Sequence, residues 1–183
     1  MKKWLIIGGV ALVVLWFVFS YNSLISLREN VDNSWAQVEN QYQRRADLIP
    51  NLVNTVKGFA DQEKEIFTEV TRLRSQWGEA KTRGDQIDAA KGLDSAISRL
   101  LLVAENYPQL KSNENFLGLQ ASLEGTENRV AVERQRYNEA VRTYNVRTKR
   151  IPTVFVARIL GFGEQEYFQV EEGKESVPEV SFE

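Results

Sequence analysis

The sequence predicts an all-α protein: one N-terminal transmembrane helix followed by an antiparallel four-helix bundle with long helices. Three observations carry this. Residues 4–19 hold sixteen consecutive uncharged and almost wholly apolar side chains. Behind them, apolar residues recur at spacings of three and four, the period of a helix that buries one face. Strict apolar–polar alternation is absent, and Glu, Gln, Arg, Ala and Leu dominate, which argues against strands.

Residues 1–3 are a short tail and residues 4–21 the expected anchor. At 1.5 Å per residue this stretch spans most of a bilayer core roughly 30 Å thick. Lys2 and Lys3 precede it, and Trp4, Trp16 and Tyr21 stand at interfacial positions. A cleaved signal peptide is the competing reading. The bulky Phe17, Val18, Phe19 and Tyr21 leave no small-residue cleavage site, which favours an uncleaved anchor.

Residues 22–150 are the expected bundle. Leu24, Leu27, Val31, Trp35, Val38 and Tyr42 form the seam of its first helix. Asp47 is placed to cap a new helix, and Pro50 falls in that helix's first turn, so a turn is expected at residues 44–51. The alternative is one long helix kinked at Pro50. The second helix carries Leu52, Val56, Phe59, Ile66, Phe67, Val70, Leu73 and Trp77, with Glu63 at a seam position. After the linker at residues 78–84, Asp85 is the expected cap of a third helix bearing Ile87, Leu93, Ile97, Leu100, Leu101, Ala104 and Tyr107, stopped by Pro108. The fourth starts near Asn113 and carries Phe116, Leu119, Leu123, Val130, Tyr137, Val141 and Tyr144. Thr126 or Glu127, and Glu133 or Arg134, fill the gaps in that series. Residues 151–162 are a short apolar helix that caps the bundle or touches the membrane, near the basic Arg147, Lys149 and Arg150. Residues 163–183 hold seven glutamates and one lysine beyond Gly163 and are expected to be a flexible acidic tail.

Composition narrows the chemistry. With no histidine and no cysteine, zinc sites lose their favoured ligands, and histidine-based nucleophilic catalysis cannot be assembled. The net charge of −2 gives no basic field for nucleic acid. Polar residues on or beside the seams are Asn51, Glu63, Glu105, Asn106, Glu127, Arg134, Asn138 and Asn145. Glu63, Glu105 and Glu127 come from three helices and could in principle hold a hard cation. Buried Glu–Arg and Asn hydrogen bonds that fix helix register are the preferred reading, so no catalytic, cofactor or metal residue is assigned. The Tyr137-Asn138 and Tyr144-Asn145 pairs read as packing, with asparagine partnering the tyrosine hydroxyl. Arg44-Arg45 reads as a charge pair at a helix C-terminus.

One set of motifs is similar to the LemA proteins of bacteria, over nearly the whole chain. It comprises Tyr21-Asn22-x-Leu24, Trp35-Ala36-x-Val38 and Arg44-Arg45-x-Asp47-Leu48-Ile49-Pro50-Asn51-Leu52-Val53. Gly58-Phe59-Ala60, Ala104-Glu105-Asn106-Tyr107-Pro108-x-Leu110-Lys111, Thr126-Glu127, Arg136-Tyr137-Asn138, Tyr144-Asn145, Gly161-Phe162 and Tyr167-Phe168 complete it. The resemblance implies a single-span membrane protein with an antiparallel helical bundle and no defined biochemical activity; some relatives are linked to membrane shaping, including magnetosome formation. At Asp61-Gln62-Glu63 relatives often carry histidine before the glutamate, so no proton or metal role is carried over to Glu63.

The expected partners are the lipid bilayer and proteins, including a second copy, with no nucleic acid and no small-molecule substrate. Exposed seam-flanking residues such as Phe67 and Trp77 would make those contacts, or the acidic tail would dock an adaptor's partner. The bacterial cytoplasmic membrane is the expected location. Lys2 and Lys3 favour an inside amino terminus and an external bundle.

Overall fold

The computed structural model describes residues 2–169, and all its regular structure is helical. The elements are α1 (Lys2–Lys57), α2 (Lys64–Glu79), α3 (Arg83–Glu105), α4 (Pro108–Lys111), α5 (Glu114–Lys149) and α6 (Thr153–Leu160). Most of the seam positions named above are the core, but Phe59, in the reversal after α1, is exposed, and Leu27, Glu63, Leu101, Tyr107 and Leu119 are half-buried. Leu24, Val31, Trp35, Val38, Tyr42, Val130, Tyr137, Val141 and Tyr144 are buried where α1 meets α5. Ile49, Leu52, Val56, Ile66, Phe67, Val70, Leu93, Ile97, Leu100, Phe116 and Leu123 form a second cluster further along. Phe67 and Trp77, expected as contact residues, are instead core at 7% and 5% exposure.

The largest departure from expectation is at residues 44–51. No turn forms there, and Asp47 caps nothing; it accepts a hydrogen bond from Gln43 Nε2 one turn earlier in the same helix. α1 runs for 56 residues with Pro50 inside it. Proline has no N–H, so the carbonyl of Ala46, four residues earlier, loses its helical donor. Arg74 of α2 supplies the replacement: its Nε donates to the Ala46 oxygen at 2.9 Å. With that carbonyl satisfied, the apolar series Tyr42, Ala46, Ile49, Leu52, Val56 stays buried through the proline. The helix ends instead before Gly58, a poor helix former, and residues 58–63 reverse the chain.

This moves every later element. α2 spans only 16 residues, and its Trp77 ring lies 4.7 Å from that of Tyr42. Tyr42 is twenty-one residues beyond Tyr21, or about 30 Å along the helix. Arg72, Arg74 and Lys81 therefore lie far from the apolar stretch. The cap of α3 is Thr82 rather than Asp85. Its hydroxyl accepts from the Asp85 N–H at 3.1 Å and donates to the Asp85 carboxylate at 2.6 Å, a reciprocal cap. α3 approaches α2 closely at Gly92, where an added Cβ would sit 2.9 Å from Leu73 Cδ2. α5 starts at Asn113 as expected, and the Asn113 side chain caps it, accepting from the Phe116 N–H at 3.1 Å. Contacts descend α5 as they ascend α1: Trp35 meets Tyr137, Tyr42 meets Arg134, and Arg45 meets Glu127.

The segment after Gly163 is not wholly free. Phe168 is 2% exposed and belongs to the core, so the expected flexible tail is replaced by a packed strap over residues 162–169. The rest of that tail, residues 170–183, lies outside the described residues.

The role of Arg74 is separable. Arg74→Ala should lower unfolding free energy by about 1–3 kcal/mol, because it strips the donor from a buried carbonyl. With Pro50→Ala already present, residue 50 donates its own N–H and the cost of Arg74→Ala should shrink. Denaturant unfolding of both single variants and the double variant checks this; equal costs in the two backgrounds would refute it.

Candidate functional site

The most concentrated chemistry lies where α1, α3, α5 and the strap meet. Arg45 points inward from α1 at 5% exposure. Its Nη1 lies 3.0 Å from Asp94 Oδ1 of α3 and also pairs with Glu127 of α5. Arg134, two turns along α5 from Glu127, pairs with the same Asp94 carboxylate, and the Tyr42 hydroxyl donates to Asp94 Oδ2 at 2.9 Å. The Arg134 guanidinium lies over the Phe168 ring at 4.4 Å and the Tyr42 ring at 5.3 Å. Burial lowers its pKa to about 10, so it stays cationic at neutral pH.

Two arginines and two carboxylates from three helices thus neutralise one another beneath an aromatic lid. Such a network is poor at adding net stability, because desolvation opposes the Coulombic gain. It is good at forbidding other registers, since any slip would leave a buried charge alone. A cleft of about 440 Å³ opens beside it, lined by Arg45, Lys91, Asp94, Glu127, Arg134 and Phe168.

The strap is held by paired amide clamps. Asn145 Nδ2 donates to the Gln165 carbonyl, and Asn145 Oδ1 accepts the Gln165 N–H, both at 2.9 Å. Asn138 grips Phe168 in the same way, at 2.9 and 2.8 Å. The spacing has a geometric reason. Seven helical residues rise about 10 Å, and so do three residues of extended chain. One heptad on α5 therefore matches a three-residue step on the strap, which runs opposite to α5. Tyr137 adds a hydrogen bond to the Glu166 carbonyl at 2.6 Å, and Arg83 reaches Gln165 Oε1 at 2.8 Å. Arg83 also pairs with Asp32 at 2.7 Å and lies over the Trp35 and Tyr137 rings.

The polar residues named from the sequence separate accordingly. Glu127, Arg134, Asn138 and Asn145 all do structural pairing at this site. Glu63 lies near the Tyr107 hydroxyl at 3.5 Å, while Asn51, Glu105 and Asn106 are exposed. Glu63, Glu105 and Glu127 do not converge: among the described residues, no three acidic side chains stand close enough to hold a metal ion. The asparagines serve the strap backbone, not the tyrosine hydroxyls. The buried Tyr144 hydroxyl has no hydrogen-bond partner among the described residues. Arg45 is a core residue in mid-helix rather than a terminal charge. Its signal was the series Val38, Tyr42, Arg45, Ile49, Leu52, Val56, which runs through unbroken once no turn is placed at Asp47. Asp94 had no such signal, and Phe168 had only its aromatic character within an acidic stretch.

Fold and site together define an all-helical protein with a charge-locked core. One N-terminal segment is long and apolar enough to cross a membrane. The chain belongs to the LemA family, whose model matches residues 34–182. It is similar to magnetosome protein MamQ 2 of Paramagnetospirillum magneticum, at 28% identity over 88% of this chain and 69% of that protein. It is also similar to magnetosome protein MamQ of Magnetospirillum gryphiswaldense, at 28% identity over 81% of this chain and 64% of that protein. Protein LemA of Metamycoplasma hominis is 21% identical over 85% of this chain and 74% of its own length. The apolar N-terminal segment and the magnetosome relatives point to membrane association.

Two predictions follow from the clamps and the tyrosines. Replacing Asn138 and Asn145 together by alanine should free the strap and cost about 2–4 kcal/mol, near one net hydrogen bond for each of the four lost. Limited proteolysis should then cut at residues 163–169 before anywhere in α5. Burial raises the pKa of both Tyr137 and Tyr144 above 10.0, the former opposed by Arg83. A raised phenol contributes stability that is fully present below the unfolded value of 10.0 and lost as pH climbs through the folded one. Arg134 acts oppositely, so the comparison is between variants. Tyr137→Phe and Tyr144→Phe should each flatten the alkaline fall in unfolding free energy. At neutral pH Tyr137→Phe should destabilise by about 1 kcal/mol, whereas Tyr144→Phe should be neutral or stabilising.

Proposed function

We propose that this chain is a single-pass protein of the bacterial cytoplasmic membrane whose helical body is a non-enzymatic scaffold for membrane organisation or protein assembly. In this reading the membrane-distal part of α1 forms an antiparallel four-helix bundle with α2, α3 and α5, and the bundle lies outside the cell. The observation that carries the proposal is the single unbroken helix from Lys2 to Lys57. It makes the apolar stretch and the body one rigid piece, so the bundle surfaces stand at a fixed height and angle to the apolar stretch. The network at Arg45, Asp94, Glu127 and Arg134 supports the same reading, because it spends ionisable groups on register. The magnetosome proteins among the relatives support a role at membranes.

A scaffold of this kind presents its surface to other copies. Its particle in mild detergent should therefore exceed one chain by light scattering, increasingly so with concentration; a monomer at the highest attainable concentration would refute self-assembly. A second reading, an adaptor that docks a membrane partner, is favoured by the charge of residues 170–183, with five glutamates against one lysine. Deleting those residues should abolish the partner's capture, while residues 164–169, which carry the core residue Phe168, must be kept. Reporter fusions at Glu183 decide the side of the membrane.

A further inference from the structure

α6 carries two different faces. Thr153, Val156 and Ala157 are buried against the body. On the other side Phe155 and Ile159 stand four residues apart, at 58% and 73% exposure, with Leu160 beside them, and Ile151, in the turn just before the helix, is 77% exposed. Arg150 and Arg158 flank this ridge, are exposed, and make no ion pair among the described residues. Nearby Lys149 is already paired with Glu164 at 2.8 Å. An apolar ridge edged by unpaired arginines is costly in water and well suited to a headgroup layer.

Its position fixes the occupant. α6 packs on α1, and the left-handed Gly161, at φ +74°, turns the chain so that Phe162 meets Tyr21 at a ring distance of 6.1 Å. Ser20 is buried there, and Trp16 and Phe17 pack on the cluster that contains Val156, Ala157 and Phe162. The body thus reaches down beside the last turns of the apolar stretch, and α6 is the part that does so. A bilayer that accommodates residues 4–21 has its interface at this level.

We propose that α6 is an interfacial membrane helix. Its Phe155 and Ile159, with Ile151 from the turn before it, enter the boundary between headgroups and acyl chains, roughly 5–10 Å deep, and Arg150 and Arg158 hold anionic lipid headgroups. This rests on residues 4–21 being the span. It adds a second, independent contact that sets the tilt of α1, because a helix held at two points on one side of the bilayer cannot swing freely about its axis.

The chain contains no cysteine, so single cysteines can be introduced cleanly. Spin labels at Val10→Cys, Phe155→Cys, Ile159→Cys and the exposed, distal Ser122→Cys are placed on the full chain in phosphatidylcholine vesicles with and without phosphatidylglycerol. Collision with oxygen reports lipid, and collision with a water-soluble nickel chelate reports solvent. The labels at 155 and 159 should prefer oxygen several-fold more than that at 122, and the preference should grow with phosphatidylglycerol. Arg150→Glu with Arg158→Glu should remove that growth. Labels at 155 and 159 that behave like 122 while 10 stays in lipid would overturn the proposal and leave the span standing. A label at 10 in water would overturn both. Labels at 155 and 159 shielded from both reagents and broadened by a neighbouring spin would mean that a second copy covers the face, which also overturns it. A preference indifferent to phosphatidylglycerol overturns the headgroup assignment of the two arginines.

Discussion

A helix that passes through a proline needs some other group to satisfy the carbonyl the proline abandons, and here Arg74 does so for Ala46. The architecture depends on that contact. Without it, the cheapest solution for the chain around Pro50 is to stop and turn, and α2 would begin there. Because α1 continues to Lys57, α2 starts later, ends sooner and returns only to the level of Tyr42. The linker to α3 then sits near Asp32, where Arg83 binds it. Asp32 is eleven residues from Tyr21, about 16 Å along the helix. Closer to the apolar stretch, the body consists of α1, α5, α6 and the strap.

The strap and the charge network complete one another. Arg134 is half-buried because Phe168 covers it, and Phe168 is held down because Asn138 has its backbone in both hands, donor and acceptor. Covering a cation with an aromatic ring keeps water away without leaving the charge uncompensated, since the ring face is electronegative and Asp94 pairs with the same guanidinium. The consequence is that the chain downstream of α6, acidic though it is, has its first residues locked into the core. The packed body therefore extends past Gly163 at least to Phe168. Burial of the Phe168 ring alone is worth about 1.5–3 kcal/mol, enough to hold a short segment that contributes no regular structure.

The sequence by itself determined the helical class, the apolar N-terminal segment, the starts of α5 and α6 and most of the buried seam. All of these follow from local properties: hydrophobic run length, a 3.6-residue period and proline breaks. It also pointed to Glu127, Arg134, Asn138 and Asn145 as polar residues on a buried face, though not to what they bind. Three matters were decided only by tertiary structure. Whether Pro50 ends a helix depends on a donor twenty-four residues away, which no local rule can see. Whether Arg45 is a surface charge or a core residue depends on Asp94 and Glu127 arriving from other helices. Whether the chain after Gly163 packs on the body, as residues 164–169 do, depends on a match between one heptad of α5 and three residues of extended chain. Each is a contact between residues distant in sequence whose free energy exceeds the local preference it overrides.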